Sequence, residues 1–164
     1  MLAMKLILEG LGLGFLLYLI CAMGIRKGAI GMVHLYDQKV QDRVIALGLT
    51  TREAIRRRGN RFRAICLPGY MIYTLVCVCA VNGVQGFFPV FWQGFVILSI
   101  MNLIDRVLVD GYWVGHTRDW IIPGTEDLRP YITKKDKQQK WMMGTVGMAV
   151  FAAVLSGIMA LILK

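Results

Sequence analysis

Long apolar runs alternate with short polar connections along this chain. Residues 6–25 form the first run, about 20 residues, enough to cross a hydrocarbon layer as a helix. Glu9 interrupts it near its start. Gly10 and Gly14 lie four apart on one helical face, where two backbones can approach closely. The second run covers 64–82, with Pro68 in its first turn, where a proline costs least. Asn82-Gly83 and Gln85-Gly86 predict a very short turn, which makes the second and third runs antiparallel neighbours. The third run spans 88–105, and Phe87, Phe88, Phe91 and Trp92 at its start have the look of an interfacial aromatic belt. Helical periodicity then continues as a polar extension over 105–122, until Pro123-Gly124 breaks it. The fourth run covers 141–163. Its rows of small residues, Ala149/Ala153/Gly157 and Ala152/Ser156/Ala160, are surfaces of the kind that pack helices in lipid.

The connection 26–63 is too long to be structureless in a compact protein. Val40, Val44 and Leu47 at i, i+4 and i+7 predict a short amphipathic helix over 37–47, ended by Gly48. Thr50 and Glu53 have capping-box spacing and predict a second helix that can run straight into the second span. The implied fold class is all-α: a polytopic integral membrane protein with four transmembrane helices in one domain. It carries a helical cytosolic loop over 26–63 and a cytosolic extension of the third helix over 105–122.

Composition agrees with this reading. Hydrophobic residues make up 57% of the 164, and the mean hydropathy of +0.57 is too high for an ordinary soluble domain. The net charge of +9 is clustered: ten Lys or Arg fall in 26–63, seven in 106–140 and none in the turn 82–87. Positive charge concentrates in cytosolic loops, so both large loops are predicted to be cytosolic and both termini outside, in the cytoplasmic (inner) membrane. Nucleic acid is not the expected partner, because the charge sits where topology requires it. A cleaved signal is not expected either, since Lys5 alone precedes the first run while Arg26 and Lys27 follow it. Cys21, Cys66, Cys77 and Cys79 fall inside apolar runs without metal-site spacing and read as small buried residues.

Candidate chemistry concentrates in residues 102–131. Asp105, Val109, Tyr112 and His116 share one α-helical face, yet Asp105 and His116 lie about 16 Å apart along a straight helix and cannot share an ion. Arg106 and Asp110, at i and i+4, are expected to pair. His116 and Asp119 stand at i and i+3, and Glu126 and Asp127 could fold back towards them past the Pro-Gly turn. His116, Asp119 and Glu126 are therefore the candidate catalytic groups, an acid/base set for a lipid headgroup. The same three with Asp127 are the alternative ligands of a divalent metal ion, the one cofactor class the residue types suggest. Asp110, Arg56, Arg57, Arg61 and Trp120 are the candidate ligand-binding residues, the arginines facing anionic headgroups. Trp113, Trp120 and Tyr131 are expected to anchor the segment at headgroup level. The plain reading of the same stretch is an interfacial helix extension with ordinary Trp and charge. Glu9 reads plainly as an acid near a helix end, bonded to a neighbour.

Three functional classes fit. The first is an enzyme or binding protein for an anionic amphiphile, with its site on the cytosolic face. The second is an accessory subunit holding a larger membrane complex together. The third is a small oligomeric transporter or channel, motivated by Glu9, Gln93, Asn102 and Asp105 at various depths, with a homodimer as its simplest form. No paired His-x-x-x-His, Gly-rich phosphate loop or nucleophile elbow is present to name a reaction.

Overall fold

The computed structural model describes residues 1–26 and 28–162, apart from the side chains of 134–136 and 162. Lys27 and the last two residues, into which the predicted fourth span extends, lie outside the described residues, as do the side chains that begin the basic stretch before that span. The described residues fold as helices joined by turns, without a strand. The order is α1 (Leu2–Ile25), a 3-10 turn (Ala29–Leu35), α2 (Gln38–Ala46), α3 (Arg52–Val81), α4 (Phe87–His116), a 3-10 turn (Glu126–Leu128) and α5 (Lys134–Ile162). Four of these, α1, α3, α4 and α5, contain stretches long and apolar enough to cross a membrane.

Helix α4 is the centre of the bundle. It packs extensively against α1 on one side and α5 on the other, while α3 makes fewer contacts with it. Glycine sets the α1–α4 approach. A β-carbon at Gly10 would lie 2.6 Å from Ile100 Cβ and 3.1 Å from the Ile97 carbonyl oxygen, and one at Gly14 would collide with Ile104. The pair predicted to permit close packing does so. On α5 the buried positions include Ala152, Leu155 and Ser156, so one of the two small-residue rows faces the bundle. The four cysteines are free, and Cys21, Cys66 and Cys77 are buried.

Helix α2 forms with Val40 and Val44 buried, and Gly48 beyond it adopts φ +70°, a conformation only glycine enters freely. Leu47, expected on the same buried stripe, is instead largely exposed and rests against Gly124. The cap of α3 is Thr51 rather than Thr50: its hydroxyl accepts from Ala54 N–H at 3.2 Å. Because α3 runs unbroken from Arg52, Pro68 is interior to the helix, not in a first turn. Its ring removes one backbone hydrogen bond there. Gly83 and Gly86, at φ +65° and +90°, make the tight turn into α4. Beside that turn, Asn82 Nδ2 donates to Glu9 Oε2 at 3.1 Å and to Gln93 Oε1 at 2.9 Å. Tyr73 OH donates to the Glu9 carbonyl, so Glu9 is bonded to its neighbours as its place near a helix end suggested.

Helix α4 departs from the expected regular helix in two ways. From Asp105 to Trp113 it widens to π geometry, its last turn closing with Val114 N–H on the Val109 carbonyl, five residues back. A β-carbon at Gly111 would already stand 3.0 Å from the Arg106 carbonyl, so glycine suits this wider turn. The second departure is length. The helix stops at His116 and does not continue to Ile122, because Thr117 is extended and its hydroxyl donates back to the Trp113 carbonyl at 2.7 Å. The chain gains more by turning back. Trp120 and Ile122 become almost fully buried, which a continuing helix beyond the bundle would not achieve.

Candidate functional site

The segment that turns back forms a lid at the loop end of the bundle. Tyr36, from the end of the first 3-10 turn, packs edge-on against Tyr131 at 5.2 Å and donates its hydroxyl to the Trp120 carbonyl at 2.6 Å. Trp113 stands edge-on to Trp120 at 5.2 Å, and Tyr131 OH and Thr125 Oγ1 lie 2.9 Å apart. Burial pushes the Tyr36 phenol well above its ordinary pKa, so it stays a neutral donor.

Beneath this lid is a cavity of about 430 Å³. Helix α4 forms its back with Met101, Asn102, Asp105, Arg106, Val109 and Asp110. Leu17 and Cys21 of α1, Phe62 and Tyr70 of α3, and Lys140 and Met148 of α5 form its sides. The wall is thus apolar towards Leu17, Met101 and Met148 and charged towards Asp105 and Lys140. Size and lining fit the usual pattern of a small-molecule site, mostly apolar with a few convergent polar groups.

The π segment explains which residues face inward. Ideal α spacing puts Asp105, Val109, Tyr112 and His116 on one stripe. In the wider turn, Asp105 and Arg106 are followed by Val109 and Asp110 and then Val114, and these five line the cavity. Tyr112 and His116 are rotated out to the surface, where their rings stack on each other at 5.5 Å.

The expected Arg106–Asp110 pair does not form. Asp110 is paired with Lys140 at 2.9 Å, across from α5. Arg106 donates through Nε to Asn102 Oδ1 at 3.2 Å and sits over the Trp141 ring at 6.0 Å. Gly144 leaves the room that the guanidinium occupies, since a β-carbon there would collide with it. This leaves Arg106 Nη1 buried without a partner among the described residues. Trp120 Nε1 and both ring nitrogens of His34 share that condition, and all three side chains line the cavity.

The predicted cluster of His116, Asp119, Glu126 and Asp127 does not assemble. Each is exposed and separately engaged: Asp119 accepts from Trp113 Nε1 at 3.0 Å, Glu126 from Gly124 N–H at 2.9 Å, and Asp127 pairs with Arg43 at 3.1 Å. His116 Nδ1 lies 3.2 Å from the carbonyl of Tyr112 on its own helix. Among the described residues, no three His, Cys, Asp or Glu come together as metal ligands, so the divalent-ion alternative lacks its geometry. The early end of α4 is the reason, because it leaves His116 at a helix terminus while Glu126 and Asp127 follow the lid away. His116 does share an open cleft of about 420 Å³ with Asp110, Arg129 and Lys137, outside the lid. Of the ligand-binding candidates, Asp110 and Trp120 line the cavity. Arg56, Arg57 and Arg61 line a separate open groove on α3 with Glu53 and Asn60.

Comparison with protein-family models, curated proteins and solved structures returns no match. The cavity itself is then the guide to function.

His34 was not singled out from the sequence. It is half-buried between the ring of Phe62, 5.2 Å away, and the backbone at Gly59. Burial first, then Arg58 and Arg63, hold its pKa below the ordinary histidine value. The unfolded chain then binds the extra proton at a higher pH than the fold does. The stability that neutral His34 contributes is complete above about pH 6.5 and is lost as the pH falls from there through the folded pKa. Thermal stability of the wild type should thus fall more steeply than that of His34→Gln between about pH 6.5 and pH 5. Parallel melting-temperature profiles for the two proteins would refute this account of His34.

Proposed function

We propose that the protein is a multi-pass membrane protein that binds an anionic amphiphile in the lidded cavity. In this reading the head lies against Arg106, Trp120 and His34, and the tail lies along Leu17, Met101 and Met148. One observation carries it: three residues that each hold a buried polar group without a partner among the described residues line one cavity, together with apolar side chains. Among the described residues Arg106 Nη1 and Trp120 Nε1 are donors without an acceptor, and a neutral imidazole adds one more donor. A buried donor left unmade costs about 1–3 kcal/mol, more when charged, so three around one space argue for an oxyanion that satisfies them. The basic character of both large loops supports placing this end of the bundle at the cytosolic face, with the termini outside.

The test is direct. Arg106→Gln and Trp120→Phe each remove one donor while keeping most of the side-chain bulk. Each should weaken retention of an added phospholipid, measured by native mass spectrometry in a neutral detergent, by about tenfold to a hundredfold for the charged donor and less for the indole. His116→Ala and Glu126→Ala, in the cluster that does not assemble, should leave retention unchanged. If the His116 and Glu126 variants lose the lipid while the Arg106 and Trp120 variants keep it, the site has been assigned to the wrong side of the lid.

A further inference from the structure

The charges facing the cavity go further than an anion site. Four lie along it: Asp105, Arg106, Asp110 and Lys140. Asp110 and Lys140 neutralise each other at 2.9 Å. Asp105 and Arg106 are consecutive, both line the cavity, and do not form an ion pair with each other. Arg106 is turned towards Asn102 and Trp141. The Asp105 carboxylate is joined by no hydrogen bond to another described residue, although a carboxylate accepts up to four. What remains without a contact ion pair is one cation and one anion lining the same space.

A ligand with an anionic head alone would satisfy Arg106 and set a second negative charge beside Asp105. A ligand with a cationic head alone would leave the Arg106, Trp120 and His34 donors unmade. We infer that the cavity is built for a zwitterionic amphiphile, with its phosphate on Arg106, Trp120 and His34 and a primary ammonium on Asp105. A primary ammonium suits Asp105 because it brings three N–H donors to an acceptor that has none, whereas a quaternary ammonium brings charge without a donor. The inference rests on the amphiphile-binding reading, keeps its oxyanion and narrows the head to one that also carries an ammonium.

Two lipids that share phosphate and chains isolate the ammonium. The full chain in a neutral detergent is titrated with dioleoyl phosphatidylethanolamine or dioleoyl phosphatidylglycerol, and bound complexes are counted by native mass spectrometry. The ethanolamine lipid should bind about tenfold more tightly, the scale of one charge-assisted hydrogen bond. Asp105→Asn, which keeps shape and removes the charge, should erase that preference while glycerol-lipid binding stays at or above the wild-type level. Equal binding of the two lipids by the wild type, or a preference that survives Asp105→Asn, overturns the zwitterion inference and leaves the oxyanion site standing. Failure of both lipids to bind the wild type above a detergent-only control overturns both.

Discussion

Trp120→Ala should destabilise the protein by about 3–5 kcal/mol, the usual cost of truncating a fully buried tryptophan to alanine. The side chain is 2% exposed and is the largest of the fully buried residues. Tyr36 and Trp113 pack on it, so its removal leaves a void between the lid and the bundle and loosens two aromatic contacts at once. For a chain of this length, the melting temperature should fall by on the order of 10 °C. Trp120→Phe is the informative partner, because it keeps an aromatic ring in the space while giving up the unpartnered N–H and a small part of the indole volume. It should retain most of the stability that the alanine variant loses. Should scanning fluorimetry place Trp120→Ala within about 2 °C of the wild type, the lid is not an integral part of the fold.

Gly10→Leu is the second large effect. Even a single β-carbon there would meet Ile100 at 2.6 Å and the Ile97 carbonyl at 3.1 Å, and the backbone oxygen cannot swing aside as a side chain can. A leucine therefore has to push α1 off α4 along the most extensive contact α1 makes. Overpacking of this kind costs about 1–3 kcal/mol and more where backbone must move, so the effect should sit at or beyond the top of that range. Gly147 supplies the contrast. A β-carbon at Gly147 meets nothing within 4 Å, so Gly147→Ala should be neutral or stabilising by up to about 1 kcal/mol, as in any open helical position. Equal melting temperatures for Gly10→Leu and Gly147→Ala would show that the α1–α4 approach is not set by glycine.

The long-range pattern of apolar residues made most of the architecture legible. Four apolar runs, the Asn82-Gly83 turn, the Gly10/Gly14 face and the short helix at Val40 and Val44 all follow from spacing alone, and the structure has each of them. The site was legible in composition but not in assembly. Residues 102–131 do supply Asp105, Arg106, Asp110, Trp120 and Tyr131 to the cavity. Periodicity failed on which of them meet, because it assumes 3.6 residues per turn and α4 is π-helical from Asp105 to Trp113. That change of pitch turns Asp110 inward beside Asp105 and His116 outward. The Lys140–Asp110 pair lay out of reach for another reason, since it joins residues thirty apart on different helices. Equal depth was the available clue: both residues sit where an apolar run meets a basic loop. His34 and the reversal of the chain after His116 depend on a buried lid that no local pattern announces.

The limited packing of α3 has a consequence for how a ligand would arrive. Helices α3 and α5 both border the cavity, yet among the described residues no extended contact joins them. With the lid over the loop end, a route between these two helices would be a sideways approach. An amphiphile taking that route would keep its chains among apolar groups from start to finish. Its tail would then gain little on entry, and discrimination among ligands would fall to the few polar atoms at the head.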